Sequence, residues 1–306
     1  MIFLRARYVL REFTSVVFIV TLSGFGSLGF AASPSVADQQ VSELNAAFEA
    51  ARKVAQSGPT DVKLVEQAAL KLPEHFVFIP RKEAAQLMHA FGNRTGDDLL
   101  GVIFPTGDKP ENWFVVMRFV KEGYVKDDDA KHWDASDMLT SFKEGTAEGN
   151  KERKARGIPE IEIVGWVEKP RYDAATHQLV WAMSSRDIGA PSTAGQGINY
   201  NTYTLGREGY ISMNLVTDLD AIEKHKPIAK RLLGGLTFVD GKRYADFDGS
   251  TDKVAAYGLA ALVGGVAAKK LGLFALMGVF LAKFWKIVAV AVAGGAGIFS
   301  KFRKRA

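Results

Sequence analysis

Residues 253–306 constrain the fold most strongly, because they are mostly apolar and contain no acidic residue, yet carry nine lysines and arginines. Their uninterrupted apolar runs are 254–268, 271–282 and 287–299, each shorter than the roughly 20 residues that a helix needs to cross a bilayer. Basic residues follow the last run directly, as at the cytoplasmic end of a membrane span. We therefore expect a membrane-associated tail with a single span within about 271–299 and a cytoplasmic C-terminus.

The first apolar run, 254–268, is interpreted as an amphipathic or re-entrant helix that approaches the bilayer. Its glycines and alanines suit close helix packing. The alternative is a soluble domain that ends in a hydrophobic helix pair. More than forty acid-free and largely apolar residues disfavour that alternative, because they would expose a large apolar surface to water.

Residues 1–32 have the pattern of a secretory signal sequence. Arg5, Arg7 and Arg11 precede an apolar stretch over 16–28. Small residues then offer cleavage sites near residue 31 or residue 37, and an uncleaved anchor is the alternative. The pattern predicts export, with the following domain outside the cytoplasm. The expected location is a membrane that holds the soluble domain on its outer side.

The basic character of the chain belongs to its two ends. The formal net charge is +5; the first 32 residues contribute +2 and residues 253–306 contribute +9, which leaves −6 for residues 33–252. An acidic domain lacks the basic face that nucleic-acid binding requires, so nucleic acid is excluded as a partner. The chain has no cysteine, which excludes disulfides and thiolate metal sites.

Residues 38–252 are expected to form an extracytoplasmic α+β domain, in which a mostly antiparallel sheet packs with two to three helices. Apolar residues at helical spacing cover 40–56 and 80–91, and a helix begins near Asp134. A helix over 219–233 and a short strand at 236–238 close the domain. A turn is expected over 170–177. Strands are predicted over 62–65, 70–72, 76–79, 99–104, 113–120, 160–167, 178–184, 199–205 and 210–216.

Several long motifs resemble one protein family. They are Phe-Val-Phe-Ile-Pro at 76–80, Gly-Tyr-Val-Lys-Asp-Asp-Asp-Ala at 123–130, Gly-Trp-Val at 165–167, Tyr-Asp-Ala-Ala-Thr-His-Gln-Leu-Val-Trp-Ala at 172–182, Leu-Gly-Arg-Glu-Gly at 205–209 and Asp-Lys-Val-Ala-Ala-Tyr-Gly-Leu-Ala-Ala-Leu-Val at 252–263. Over roughly residues 60–300 the chain is similar to the DUF2167 family of bacterial membrane-anchored proteins. The resemblance implies membrane anchoring but no activity, so it assigns no catalytic residue.

The densest polar motif is Asp127-Asp128-Asp129, followed by His132. Carboxylate oxygens are ligands for Ca²⁺ or Mg²⁺, but the spacing fails the EF-hand pattern, which requires glycine where His132 stands. A solvated loop that leads into a helix is the simpler interpretation. No metal and no cofactor is predicted, and the motif is kept as a candidate binding site.

A second candidate site combines Tyr172, Asp173 and His177, in which the histidine and the aspartate could act as acid and base. The simpler interpretation is a hairpin turn in which Asp173 bonds to the backbone. Arg207 lies between two glycines in a predicted hairpin, where it could contact an anionic partner or a lipid headgroup. The alternative is a solvated turn arginine.

No motif reaches the standard of a catalytic site. The sequence therefore favours a non-enzymatic, membrane-anchored envelope protein whose extracytoplasmic domain binds a partner protein, a peptide or a lipid. The expected partners are the lipid bilayer and an envelope protein. The alternative is a cell-envelope enzyme that uses an Asp/His acid–base pair, either within Asp127–Asp129 and His132 or between Asp173 and His177.

Overall fold

The computed structural model describes residues 36–264, apart from 92, 94, 107–110, 132, 156, 158 and 192. The chain divides into two compact units, Met1–Asp38 and Gln39–Ala306, and the contacts below all lie in the second. The predicted signal sequence and the predicted span within 271–299 lie outside the described residues. Within the described part of the chain, no helix is both long and apolar enough to cross a membrane.

Eight antiparallel strands form the main sheet, in the order β1-β4-β5-β6-β10-β9-β8-β7. Four of the seven neighbouring pairs follow each other directly in the order of the described elements, as antiparallel pairing without a crossover helix allows. The bounds are β1 Gln56–Ser57, β4 Phe76–Pro80, β5 Leu99–Pro105, β6 Phe114–Val120, β7 Ile161–Asp173, β8 Gln178–Asp187, β9 Gly197–Leu205 and β10 Tyr210–Asp218.

A second, three-stranded antiparallel sheet has the order β11-β3-β2. Its strands are β2 Thr60–Leu64, β3 Ala68–Leu72 and β11 Leu236–Phe238. The helices are α1 Val36–Val54, α2 Arg81–Ala90, α3 Ala135–Ala155, α4 Ile222–Gly235 and the short α5 Leu259–Gly264. Asp134 begins α3 by accepting the amide of Ser136 at 2.6 Å, a typical N-cap.

The two faces of the main sheet bury different partners. One face packs against the small sheet and α4, around Trp113, Ile211 and Leu232. The opposite face carries two separate apolar clusters. Helices α1 and α2 cover β4 to β6 around Leu87 and Phe114, whereas α3 and α5 cover β7 and β8.

The antiparallel α+β architecture is confirmed, and every strand that the sequence predicts is present. The described part of the domain has four helices, α1 to α4, against the two to three expected, and the short α5 lies within the helix expected separately at 254–268. The predicted turn over 170–177 was also wrong at its start, because β7 continues through Pro170 to Asp173. Proline is tolerated there because β7 is an edge strand and its register shifts between Glu168 and Arg171.

The polypeptide after Asp252 continues along the domain surface, and we call residues 253–264 the docked segment. Tyr124 and Val254 form an isolated parallel bridge. Leu259 and Val263 are fully buried against the α3 side of the sheet. The first residues of the apolar run predicted at 254–268 thus belong to the packed domain.

Candidate functional site

Three side chains from two parts of the sequence meet at one end of the β7–β8 hairpin. The hydroxyl of Tyr172, near the end of β7, donates to Asp127 Oδ2 at 2.5 Å. His177 Nδ1 lies 3.2 Å from the same hydroxyl oxygen and 3.8 Å from Asp127 Oδ2. We call Asp127, Tyr172 and His177 the relay. Its members are partly exposed, at 29% for the Asp127 side chain and 31% for the His177 side chain.

Aromatic rings pack against the relay from the C-terminal part of the domain. The ring centroid of Tyr244 lies 4.2 Å from that of His177 and 4.4 Å from that of Tyr124. Phe247 stacks on the other side of Tyr124, at 3.9 Å. The buried Tyr244 hydroxyl donates to the carbonyl of Val125 at 2.9 Å, so the ring that supports His177 is itself fixed to the loop that carries Asp127.

The tyrosines of this site are held in their neutral form. Burial raises the pKa of Tyr172 well above its usual value, and the hydrogen bond to Asp127 raises it further. Burial likewise raises the pKa of Tyr244 and of Tyr124. The Tyr172 hydroxyl is therefore a donor at neutral pH, which leaves its oxygen to accept from His177.

Asp129, two residues after Asp127, binds the start of α5. Its carboxylate accepts the backbone amides of Leu259 and Ala260, each at 3.0 Å. These amides begin α5, whose first N–H groups have no partner within the helix. A negative charge at a helix N-terminus is also favourable electrostatically. Asp129 thus fixes the docked segment to the domain.

Backbone bonds hold the docked segment from the same loop. The amide of Tyr124 donates to Lys253 O at 2.8 Å, its carbonyl accepts from the Ala255 amide at 2.8 Å, and Leu259 also donates to Lys126 O at 3.0 Å. Gly123 permits this approach, because its φ is +101° and a Cβ there would lie 2.5 Å from Lys253 O.

Arg207 forms an internal ion pair with Asp252. Its guanidinium donates to both carboxylate oxygens of Asp252, at 2.7 and 2.9 Å, and to the carbonyl of Gly241 at 3.3 Å. This bidentate pair holds the pKa of Asp252 down to about 2. The pair ties the β9–β10 hairpin to the residue immediately before the docked segment.

The remaining candidate residues do not join the relay. Asp128 is exposed and opens a one-turn 3₁₀ helix, Asp128–Lys131. Asp173 accepts the backbone amide of Ala175 at 2.9 Å, as the hairpin-turn interpretation predicts. His132 lies outside the described residues. Among the described residues, no group of three or more histidines and carboxylates is arranged to hold a metal ion.

The relay can move a proton through a fixed series of hydrogen bonds. Because Tyr172 donates to Asp127, the 3.2 Å contact is best satisfied by His177 Nδ1–H donating to the tyrosine oxygen. That tautomer leaves Nε2 with its lone pair available as a base. Asp127, one bond further along, would stabilise the positive charge that develops on the imidazole.

Sequence reasoning singled out Asp127 and His177 but paired neither with the other. It missed Tyr124, Tyr244 and Asp252 as members of the site. The one available signal was that Tyr124 and Asp252 both occur in the long motifs that carry the family resemblance, at 123–130 and 252–263. The motifs at 123–130 and 252–263 suggest that these two segments are neighbours in the fold only when both are considered together.

A family model described as "Protein of unknown function (DUF2167)" matches residues 56–293. No curated protein matches the chain. The solution structure of cyanobacterial PsbP from Synechocystis sp. covers 60% of this chain and 91% of its own, at 12% identity and a TM-score of 0.34. The Saccharomyces cerevisiae Ran-binding protein Mog1p covers 62% and 98%, at 10% identity and a TM-score of 0.34. Structural similarities at this low identity and TM-score do not support any assignment of function.

Proposed function

The chain belongs to the DUF2167 family, and we propose that it is a membrane-tethered envelope protein whose extracytoplasmic domain binds a partner protein. The proposed location is the bacterial inner membrane, with the domain in the periplasm and the C-terminus in the cytoplasm. The basic residues at 301–305 and the apolar runs before them support this topology under the positive-inside rule.

The observation that carries the proposal is the docked segment. Residues 253–264 are held by Asp129, by the backbone of Tyr124 and by burial of Leu259 and Val263. The described start of the tail is therefore fixed to the domain. A domain held in this way would keep a defined orientation at the bilayer, as recognition of a neighbouring envelope protein requires.

Cysteine labelling tests the topology, because the natural chain has no cysteine. In intact spheroplasts, a membrane-impermeant maleimide should label Ser250→Cys, in an exposed loop, but not Ala306→Cys. Detergent should make both sites reactive. Equal labelling of the two cysteines in intact spheroplasts would exclude a single crossing with this orientation.

Photo-crosslinking tests the binding of a partner. A crosslinking amino acid at Ile188 or Val65, which are large exposed apolar residues at 55% and 61%, should capture the same protein in repeated preparations. The same amino acid at exposed, polar Lys151 on α3 is the matched control. If neither apolar position yields a reproducible protein adduct in cells, partner binding at these surfaces is excluded.

A second function, acid–base catalysis on an envelope substrate, is favoured by the relay. His177 Nε2 would take a proton from the substrate while Tyr172 and Asp127 hold the opposite side of the ring. The Tyr172→Phe and His177→Gln variants should then lose the cellular phenotype of the intact protein, whereas Asp128→Asn should retain it. A full phenotype in His177→Gln with normal protein abundance would eliminate this function.

A further inference from the structure

A buried histidine fastens the first turn of α4 to the main sheet. His225 Nδ1 lies 2.6 Å from Thr217 Oγ1, and both residues are 3% exposed. The imidazole ring also packs near Trp113, with 5.9 Å between the two ring centroids. We call His225, Thr217 and Trp113 the latch, because they join α4 to β10 and to the residue just before β6.

The backbone of this first turn is weakly held. Its N-cap residue, Ala221, makes no side-chain cap bond, although such bonds normally satisfy the first amides of a helix. Pro227 lies inside α4, where it has no N–H to donate and its ring crowds the carbonyl of Glu223. Residues 222–226 are therefore separated from the rest of the helix by a proline, the usual point at which helices bend.

The rest of α4 is packed more firmly than its first turn. Ala229, Leu232 and Leu233 are buried in the core between the main sheet and the small sheet. The first turn contributes Ile222 to the same core and is otherwise held by the latch and by side-chain ion pairs. Proteins open first where the fewest buried contacts are lost, so a local opening of α4 would begin at the first turn and end at Pro227.

The charges around His225 do not offset its burial. The segments that meet at the latch, 111–113, 217–220 and 222–226, carry the charged residues Glu111, Asp218, Asp220, Glu223, Lys224 and Lys226. Glu111 and Asp220 favour a protonated imidazole, whereas Lys224 opposes it. Glu111 already accepts from Lys224 and from Trp113 Nε1, and Asp220 is exposed to water. Burial is the largest effect, and it lowers the pKa of His225 below its usual 6.5.

A neutral His225 fits this site better than a protonated one. The neutral ring has one N–H and one acceptor nitrogen, so Nδ1 can either donate to the Thr217 hydroxyl or accept from it. A second proton places a positive charge on a side chain that water barely reaches, which costs free energy. When the turn opens, water solvates the imidazolium. The open fraction therefore rises as the pH falls below 6.5, the usual pKa of histidine.

We propose that the latch is an acid-sensitive switch, in which protonation of His225 releases the first turn of α4 and the turn moves outward about Pro227. Release would uncover Trp113 and Thr217, which are 1% and 3% exposed in the closed form. The latch lies on the face of the main sheet opposite the docked segment. The switch therefore depends neither on the tether nor on the protein partner proposed above.

Hydrogen exchange of the detergent-solubilised full chain tests the switch. The reporters are the amides of residues 224 and 225, which donate to Ala221 O at 3.1 and 3.2 Å. Protection is measured relative to an unstructured peptide at the same pH, which removes the intrinsic effect of pH on exchange. If His225 titrates normally in the open form and stays neutral in the closed form, the open fraction grows about 10-fold from about pH 7.5 to about pH 5.5. The protection of both amides should fall by this factor, while Leu232 and Leu233 keep theirs.

Variants at His225 and Pro227 assign the effect. His225→Gln and His225→Asn keep an amide that can bond to Thr217 but cannot gain a proton, so protection at 224 and 225 should be the same at both pH values. Pro227→Ala restores an N–H and removes the crowding at the Glu223 carbonyl, so protection should rise at least about 10-fold at both pH values. His89→Gln is the matched control, because His89 is exposed on α2 beside Glu43, and it should keep the wild-type response.

Three results would overturn the proposal. Wild-type protection at 224 and 225 that changes less than about 2-fold between the two pH values would show that protonation does not release the turn. An equal fall of protection throughout α4 and β10 would mean a loss of global stability and not a local release. A fall of about 10-fold that persists in both His225 variants would assign the response to another titrating group.

Discussion

Gly258 lies directly against the carboxylate of Asp129. A Cβ at Gly258 would clash with Oδ2 and would come 2.8 Å from Asp129 Cγ. The absence of a side chain at position 258 is therefore what allows Asp129 to reach the amides of Leu259 and Ala260. Because these bonds begin α5, the glycine and the aspartate together determine where the docked segment joins the domain.

The Gly258→Ala variant should be less stable by about 1–3 kcal/mol, the usual cost of inserting a methyl group into a packed contact. Urea unfolding of the detergent-solubilised chain measures this change. Gly249→Ala is the control, because a Cβ there would meet only Phe247, at an ordinary 3.7 Å. Equal stabilities for the two variants would show that Asp129 and Gly258 do not pack as described.

The hydrogen bond between Tyr172 and Asp127 should appear as a coupling in a double-mutant cycle. Tyr172→Phe and Asp127→Ala remove the same bond, so their combined cost should fall short of the sum by about 1 kcal/mol. Tyr203→Phe, on another part of the sheet, should show no coupling with Asp127→Ala. Additive costs for Tyr172→Phe and Asp127→Ala would mean that the bond contributes nothing.

The Arg207–Asp252 pair predicts a loss of stability in acid. The pKa of Asp252 is about 2 in the folded protein, below its usual 3.8, because Arg207 donates to its carboxylate. A lowered folded pKa adds stability above pH 4, and this stability is lost as the pH falls from about 4 to about 2. The Asp252→Asn variant should lack the part of this acid-induced loss of stability that comes from protonation of Asp252.

Urea midpoints measured between pH 5 and pH 2 test this prediction. The wild-type midpoint should fall more steeply than that of Asp252→Asn over the pH 4 to 2 window, and the two curves should converge at the acid end. Asp128→Asn is the control, because Asp128 is an exposed aspartate of the 3₁₀ turn. Parallel wild-type and Asp252→Asn curves would contradict the assigned pKa.

The tyrosines of the domain predict a loss of stability in alkali. Burial raises the pKa of all seven above the usual 10: Tyr124, Tyr172, Tyr200, Tyr203, Tyr210, Tyr244 and Tyr257. A raised folded pKa adds stability that is complete below pH 10 and is lost progressively as the pH rises above 10. Phenolate absorbance should therefore stay low past pH 10 and then rise together with unfolding. A gradual rise of phenolate absorbance centred on pH 10, in protein that is still folded, would contradict this prediction.

Local patterns were sufficient to predict most of the elements. Alternating or continuous apolar runs gave the strands, since a buried face imposes a period of two. The end of β7 was predicted wrongly, because Pro170 usually ends a strand and only its place at a sheet edge makes it acceptable. Edge position depends on the order of strands in the sheet, which a single segment does not encode.

The candidate site was predicted only in part, for a related reason. Asp127 and His177 were both identified as chemically active residues, but they are 50 positions apart and meet only because Tyr172 and Tyr244 bring their loops together. The three neighbouring aspartates were considered as one motif. In the fold, Asp127 contacts a tyrosine, Asp128 faces solvent and Asp129 begins a helix 130 residues later.

Hydrogen exchange at Leu259 and Ala260 tests the central claim, that the domain holds the start of the tail, most directly. In the full chain the amides of both residues should exchange slowly. Asp129→Ala should make Ala260 exchange at least about 10-fold faster, whereas Leu259, which also donates to Lys126 O, should respond less, and β9 and β10 should keep their protection. Asp128→Ala, which changes an exposed neighbour, should leave both amides slow. Fast exchange of both amides in the wild-type chain would show that the tail begins as a free linker and would contradict the account.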